Sequence, residues 1–135
     1  MTKNVPPGVT ATAQETVEFE HTLTSRHPDL PPVYSTPDMI RLMETAGFFA
    51  LQPFCDPGEI TVGTSIQVEH RAASGLGAHI RATATLDSID GRFYWMIVTA
   101  HDDRREIGRG RIGRAFVNIS NFLTKSGIEP GKSIR

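Results

Sequence analysis

Thr36, Glu44 and His70 stand out in this sequence because their side chains are reactive and their placements could use them. Thr36 precedes Pro37 at a helix-start signal. Its hydroxyl could act there, and the unpaired N–H groups of a first helical turn can polarise a carbonyl. Glu44 interrupts an apolar stripe formed by Met39, Leu42, Met43, Ala46, Phe49 and Ala50. His70 lies on a strand face with Ile66 and Val68, and histidine titrates near neutrality. A hydroxyl, a carboxylate and an imidazole are the groups needed to activate a nucleophile and to relay a proton.

Each residue also has a plainer reading. Thr36 could be only a helix cap. Glu44 could face solvent beside Arg41. His70 could be a hydrogen-bonded structural residue, Gly63 a bulge, and Arg114 a surface or interface charge. His101-Asp102-Asp103 sits on a polar turn and makes a poor metal cluster. Cys55 lies in a Pro-flanked turn without an obvious base. Ser74–Ala78 is Gly-rich but lacks the strand-then-helix setting of a phosphate cradle.

The elements that would position these groups follow from periodicity. Residues 36–52 form the one long helix, started by Thr36-Pro37-Asp38 and ended by Pro53. Before it, residues 1–13 read as a loose arm and 14–23 as a half-buried strand with Val17, Phe19 and Leu23 on one side. Pro28, Pro31 and Pro32 bar regular structure from 24–35. After the helix the period changes to two, predicting strands over 60–72, 78–89, 92–101 and 106–119. Asp90-Gly91 is a hairpin signal. Residues 92–101 are apolar on both faces, as a central strand would be. The tail from 123 to 135 is polar. The expected fold is a single α+β domain over 14–122, an antiparallel sheet of about five strands wrapped around one helix. The simplest order for the last four strands is a meander of successive neighbours. An open sheet edge invites a second copy.

The chain has 135 residues and a formal net charge of −1. That suits one core and gives no basic footprint for nucleic acid or an anionic membrane. No apolar run approaches a membrane span, and the polar start lacks a secretory core. A cytoplasmic protein is the expectation. The single Cys55 excludes an internal disulfide.

The order and spacing of short motifs resemble the hot-dog thioesterases, and more narrowly the fluoroacetyl-CoA thioesterase-like family. They are Thr36 with Leu42-Met43-Glu44, Pro57-Gly58-Glu59, Gly63-Thr64-x-Ile66-x-Val68-x-His70, Ala100-His101-Asp102, Glu106-Ile107-Gly108 and Arg114-Ala115. The resemblance covers residues 14–122 and implies hydrolysis of a small acyl-CoA thioester. It implies that Thr36, Glu44 and His70 act on the thioester, that Gly63 lies against the acyl group and that Arg114 belongs to the site. It implies no cofactor beyond the CoA of the substrate. In the specialised enzyme aromatic residues precede the Thr, whereas His27, Leu30 and Pro31 stand here. Two other readings remain open: a non-catalytic acyl-CoA binding dimer, and an enoyl-CoA hydratase, for which Asp38 is present but no following His. Arg71, Arg81, Arg109, Arg111 and Arg114 are the candidates for the CoA phosphates.

Geometry constrains the scheme. Thr36 and Glu44 are eight residues apart, roughly 12 Å at ~1.5 Å per residue. They can meet only if the helix start folds back or if two subunits contribute. A homodimer with a shared site is the expectation.

Overall fold

The computed structural model describes residues 3–129. Five antiparallel strands form one curled sheet: β1 (Thr10–Thr16), β2 (Glu59–His70), β3 (His79–Asp90), β4 (Phe93–His101) and β5 (Glu106–Asn118). Helix α1 (Thr36–Leu51) crosses its concave face, and a short helix α2 (Ile119–Lys125) follows β5. This is the expected α+β hot-dog architecture. Among the described residues no helix is long and apolar enough to cross a membrane.

Helix α1 forms where its stripe requires. Met39, Leu42, Met43, Ala46, Gly47, Ala50 and Leu51 are buried. Phe49, expected in the stripe, is 44% exposed, and Gly47 and Leu51 join the buried face instead. A methyl on Gly47 would lie 3.0 Å from the Ile112 side chain and 3.1 Å from that of Arg114, so those side chains would have to shift for the helix to keep its place against β5. A 3-10 turn at Gln52–Phe54, carrying Pro53, ends the run.

The strand order is β1-β3-β4-β5-β2. The simple meander is therefore corrected: β2 pairs with β5, not with β3. The cause is the link at 71–78. Three strand spacings separate β2 from β3, roughly 14 Å at ~4.8 Å each, and eight residues can reach roughly 26 Å. A link that long is free to cross the sheet end. It is fastened there by Tyr34 N–H to the Ser74 carbonyl at 2.8 Å and by Ser74 Oγ to Asp102 at 2.7 Å. On β5, Gly110 lets β2 in: a side chain there would strike the Gln67 carbonyl. β1 and β2 are the sheet edges.

The start of the chain departs from expectation. The first strand is Thr10–Thr16, not 14–23, and so begins inside the stretch read as a loose arm. Val5 is buried, and the Lys3 ammonium bonds Asp56 and Glu59 at 2.8 and 2.7 Å. From Val17 onward the chain turns through two 3-10 turns, Phe19–His21 and Leu23–Ser25, with Phe19 exposed. Alternation misled here because β1 is built of small and polar residues, TATAQET, whose pairing with β3 rather than hydrophobicity makes it a strand. The expected tail contains part of α2, and residues 130–135 lie outside the described ones.

β3 and β4 follow their patterns. Ile80, Ala82, Ala84 and Leu86 face the helix with Tyr94, Met96, Val98 and Ala100. β4 is central, between β3 and β5, and its second apolar face, with Phe93 and Ile97, stays exposed on the convex side.

Candidate active site

The N-terminus of α1 is capped by Ser35. Its Oγ accepts from the Asp38 N–H at 3.1 Å and lies 2.6 Å from the Asp38 carboxylate. This corrects the reading of Thr36 as the cap. The Ser35-x-x-Asp38 spacing is the signal that could have located it. With Ser35 capping, the Thr36 hydroxyl is released for other use. It lies 2.8 Å from Nδ1 of His70. The first turn has also lost donors: Pro37 has no N–H, and the Asp38 and Met39 N–H groups are held by Ser35. Among the described residues the Thr36 N–H remains without a hydrogen-bond partner, so the oxyanion role expected of the whole first turn rests on this one group.

His70 is half-buried at the end of β2, and its Nε2 is buried with no hydrogen-bond partner. Burial pushes its pKa below the ordinary value of 6.5, with the backbone of Ala72 opposing in part. The ring is therefore neutral at pH 7 and can accept a proton. It shares a cavity of about 270 Å³ with Thr36, Leu23, Val33, Tyr34 and Ala72.

A clamp that the sequence did not reveal fixes this end of the helix. Tyr34 is 1% exposed, and its hydroxyl donates to Glu15 at 2.6 Å. Arg41 bonds both Glu15 oxygens, at 2.6 and 2.7 Å, and reaches Asp38 at 3.3 Å. Burial, followed by the Glu15 carboxylate, holds the Tyr34 phenol far above its ordinary pKa, so it stays a donor. Arg41, expected as a neighbour of Glu44, thus serves β1 instead. Asp38, the residue a hydratase would need, is engaged by the cap and by Arg41.

Glu44, Gly63 and Arg114 form a second cluster. Arg114 is 5% exposed, and its Nη1 donates to Glu44 at 3.1 Å. Its Nε and Nη2 are spent on the hydroxyl and carbonyl of Thr61, at 3.0 and 2.8 Å. Desolvation lowers the guanidinium pKa and Glu44 opposes it, but arginine remains cationic. Gly63 lies directly against the Glu44 carboxylate, so that any side chain there would collide with it. A bulge follows, between Gly63 and Ser65.

The five candidate residues therefore fall into two groups. Thr36 with His70 marks the start of α1 and the end of β2, and Glu44 with Gly63 and Arg114 lies about the middle of the helix. The helix start does not fold back: α1 is regular from Thr36. Between the groups, Ile66 on β2 is 42% exposed. The helix leans on β1 and β3 and only grazes β2, which leaves this strip uncovered. No group of three or more His, Cys, Asp or Glu residues that could hold a metal occurs among the described residues.

Comparison with known proteins gives a consistent result. The pattern of the fluoroacetyl-CoA-specific thioesterase family, FlK, matches residues 12–120. The chain is 36% identical over 121 residues to a fluoroacetyl-CoA thioesterase of Streptantibioticus cattleyicolor, covering 90% of this chain and 83% of that protein. A solved fluoroacetyl-CoA thioesterase FlK superposes with a TM-score of 0.86 at 34% identity, covering 92% of this chain and 96% of that one. A thioesterase superfamily member from Thermus thermophilus superposes equally well, at 0.86 and 25% identity, covering 93% of each chain. With the family pattern matched along residues 12–120, from the first strand through the last, and more than a third of the residues shared with a relative over 90% of the chain, the chain belongs to the fluoroacetyl-CoA-specific thioesterase family.

Proposed function

We propose that this protein hydrolyses the thioester of a small acyl-CoA to a carboxylate and CoA, at a site completed by a second copy of the chain. The carrying observation is the 2.8 Å contact of Thr36 Oγ1 with His70 Nδ1 beside a cavity. A neutral His70 can take the proton of the Thr36 hydroxyl, or of a water held by it, as that oxygen attacks the carbonyl. The Thr36 N–H can hold the developing oxyanion. His70 returns the proton to the departing CoA sulfur; attack by water gives the acid directly, and attack by Thr36 gives an acyl ester that a second, His70-activated water hydrolyses to the acid and free Thr36. No cofactor enters this chemistry. Relatives solved with acetyl-CoA, and with fluoroacetate and CoA, support the substrate class.

The dimer supplies what one chain keeps apart. β2 has twelve residues and an unpaired edge. Antiparallel pairing of two β2 edges about a two-fold axis at Gln67 sets His70 of one copy opposite Gly63 of the other, because Thr64 is bulged out and both residues then lie three ladder positions from the axis. It would also cover Ile66. Glu44 of the partner subunit then faces the thioester held at Thr36. We place the enzyme in the cytoplasm, since an acyl-CoA carries several charges and does not cross a membrane unaided.

Mixing Thr36→Ala and Glu44→Gln protomers tests the shared site. Random pairing leaves one intact site in each mixed dimer, so activity recovers to about a quarter of wild type. A site inside one protomer gives no recovery. One observation favours a binding protein instead: the Glu44 charge is already matched by Arg114. Absence of free thiol release from every member of a short acyl-CoA panel would establish that reading.

A further inference from the structure

We propose that Asp102, on the turn between β4 and β5, is a positioning residue for the hydrolysis: through Ser74 it holds the 71–78 link in the place that brings His70 to Thr36. This deepens the thioesterase reading above and rests on it. The Asp102 carboxylate is engaged within the chain. Its Oδ1 accepts the N–H groups of Arg104 and Arg105 at 2.8 and 3.0 Å, and its Oδ2 accepts the Ser74 hydroxyl at 2.7 Å. Burial works against the charge, yet the Ser74 hydroxyl and the two N–H groups outweigh it and keep the carboxyl below its ordinary value. The N–H donors close the turn around the carboxylate, which makes it a fixed post for the third donor.

Ser74 is buried and carries the hold in two directions. Its carbonyl accepts the Tyr34 N–H at 2.8 Å, and the next residue, Gly75, bridges Val33. These bonds set the stretch that enters α1, two residues before Thr36. In the other direction lie Ala72 and His70. Ala72 lines the cavity with the imidazole, and its backbone acts on the proton affinity of the ring. Both sides of the Thr36–His70 contact are thus tied at Ser74, and Ser74 is tied to Asp102.

The strand that follows the turn completes the hold. The Ile107 carbonyl accepts the Arg71 N–H at 2.7 Å and the Ala72 N–H at 3.2 Å, immediately after His70 in the chain. A side chain at Gly108 would strike Met39 of α1 and the Glu69 carbonyl of β2, so β5 lies close against both elements of the site. Ala100-His101-Asp102 and Glu106-Ile107-Gly108 supply no reacting group to the mechanism above. They serve it as a frame: the hairpin fixes the link, and the link fixes the 2.8 Å contact on which proton transfer depends.

Ser74→Ala cuts the connection without touching the turn. On the short acyl-CoA that wild type turns over fastest, its kcat should fall roughly tenfold with KM unchanged. Asp102→Ala should lower kcat roughly 10- to 100-fold. The S74A/D102A double variant should fall no further than D102A, since both changes cut one connection. Asp102→Asn should keep most of the activity, because its carbonyl can accept the two N–H groups while its NH2 donates to Ser74 Oγ. The His70 ring, titrated by NMR, gives a readout that loss of fold stability alone does not move. In S74A its midpoint should rise toward the ordinary 6.5 as water enters beside Ala72, and in D102N it should stay at the wild-type value. Wild-type kcat in S74A, effects that multiply in the double variant, or an unmoved midpoint in S74A overturns the proposal. If wild type hydrolyses no short acyl-CoA, the thioesterase reading fails and the titration decides the positioning by itself. A raised midpoint in S74A supports it, and an unmoved one overturns it.

Discussion

The start and the middle of α1 solve opposite electrostatic problems. At the Thr36 end, charges are gathered outside the reacting pair: Glu15 and Asp38 are both held by Arg41, which leaves Thr36 and a neutral His70 facing the cavity. At Glu44 the charge lies inside the site. A carboxylate is held between a buried arginine and a bare backbone. The first is built for moving a proton, because a neutral imidazole can both accept and return one. The second is built for placing a negative charge, because Arg114 fixes its direction and Gly63 leaves it room. A protomer keeps these functions apart, and the proposed shared interface would join them.

The sharpest way to break this contrast is to remove the proton acceptor. His70→Ala should lower kcat by roughly 10²–10⁴ with little change in folding, as read by steady-state thiol release and circular dichroism. A variant with full turnover would leave Thr36 and Glu44 without a working relay. Gly63→Ala comes next, since its methyl must displace the Glu44 carboxylate. We expect kcat/KM to fall roughly 10- to 100-fold, the usual scale for a misplaced group, and wild-type kinetics would dissociate the glycine from the carboxylate.

Arg114→Met sharpens the other side. It leaves Glu44 without its cation and the Thr61 carbonyl without a donor. A loss of about 1.5–3 kcal/mol in denaturant unfolding is expected. The corresponding loss for Ser35→Ala is smaller, about 1 kcal/mol, the value of a helix cap. A larger cost at Ser35 than at Arg114 would reverse the assignment of which of the two is under electrostatic load.

The pH profile separates the two without mutation. Burial lowers the His70 pKa, so kcat/KM should hold as pH falls to about 6.5 and decline only below it. The sign for stability is the same. The unfolded chain takes up the proton first, so the stability linked to His70 is intact above about 6.5 and is lost as pH falls through the lower folded value. His70→Ala should abolish that part of the pH dependence, and an acid limb above 6.5 would contradict a buried neutral ring.

Much of this was legible in the residues. The 36–52 helix, the hairpin around Gly91 and the alternation of β3 survive in the structure because each is enforced by local sequence: a stripe, a positive-φ glycine, a period of two; the hairpin's two loop residues are Gly91 and Arg92 rather than Asp90 and Gly91. What failed was non-local. The first strand was misplaced because its pairing with β3 outweighs its weak pattern, and the strand order was misread because a link of eight residues does not say which edge it reaches. The cap was assigned one residue late, since Ser35 and Thr36 carry the same hydroxyl.

The sequence by itself determined which groups are available and how far apart they stand on the helix: Thr36, Glu44 and His70, with eight residues of rigid backbone between the first two. That spacing is fixed by the rise of an α-helix, which no tertiary contact stretches. Only the tertiary structure decided which groups meet. β2 folds back along α1, so His70 comes to Thr36 while Gly63 comes to Glu44, and Arg114 arrives at Glu44 from β5. Contact between residues dozens of positions apart depends on strand order and register, and those are properties of the closed sheet rather than of any segment within it.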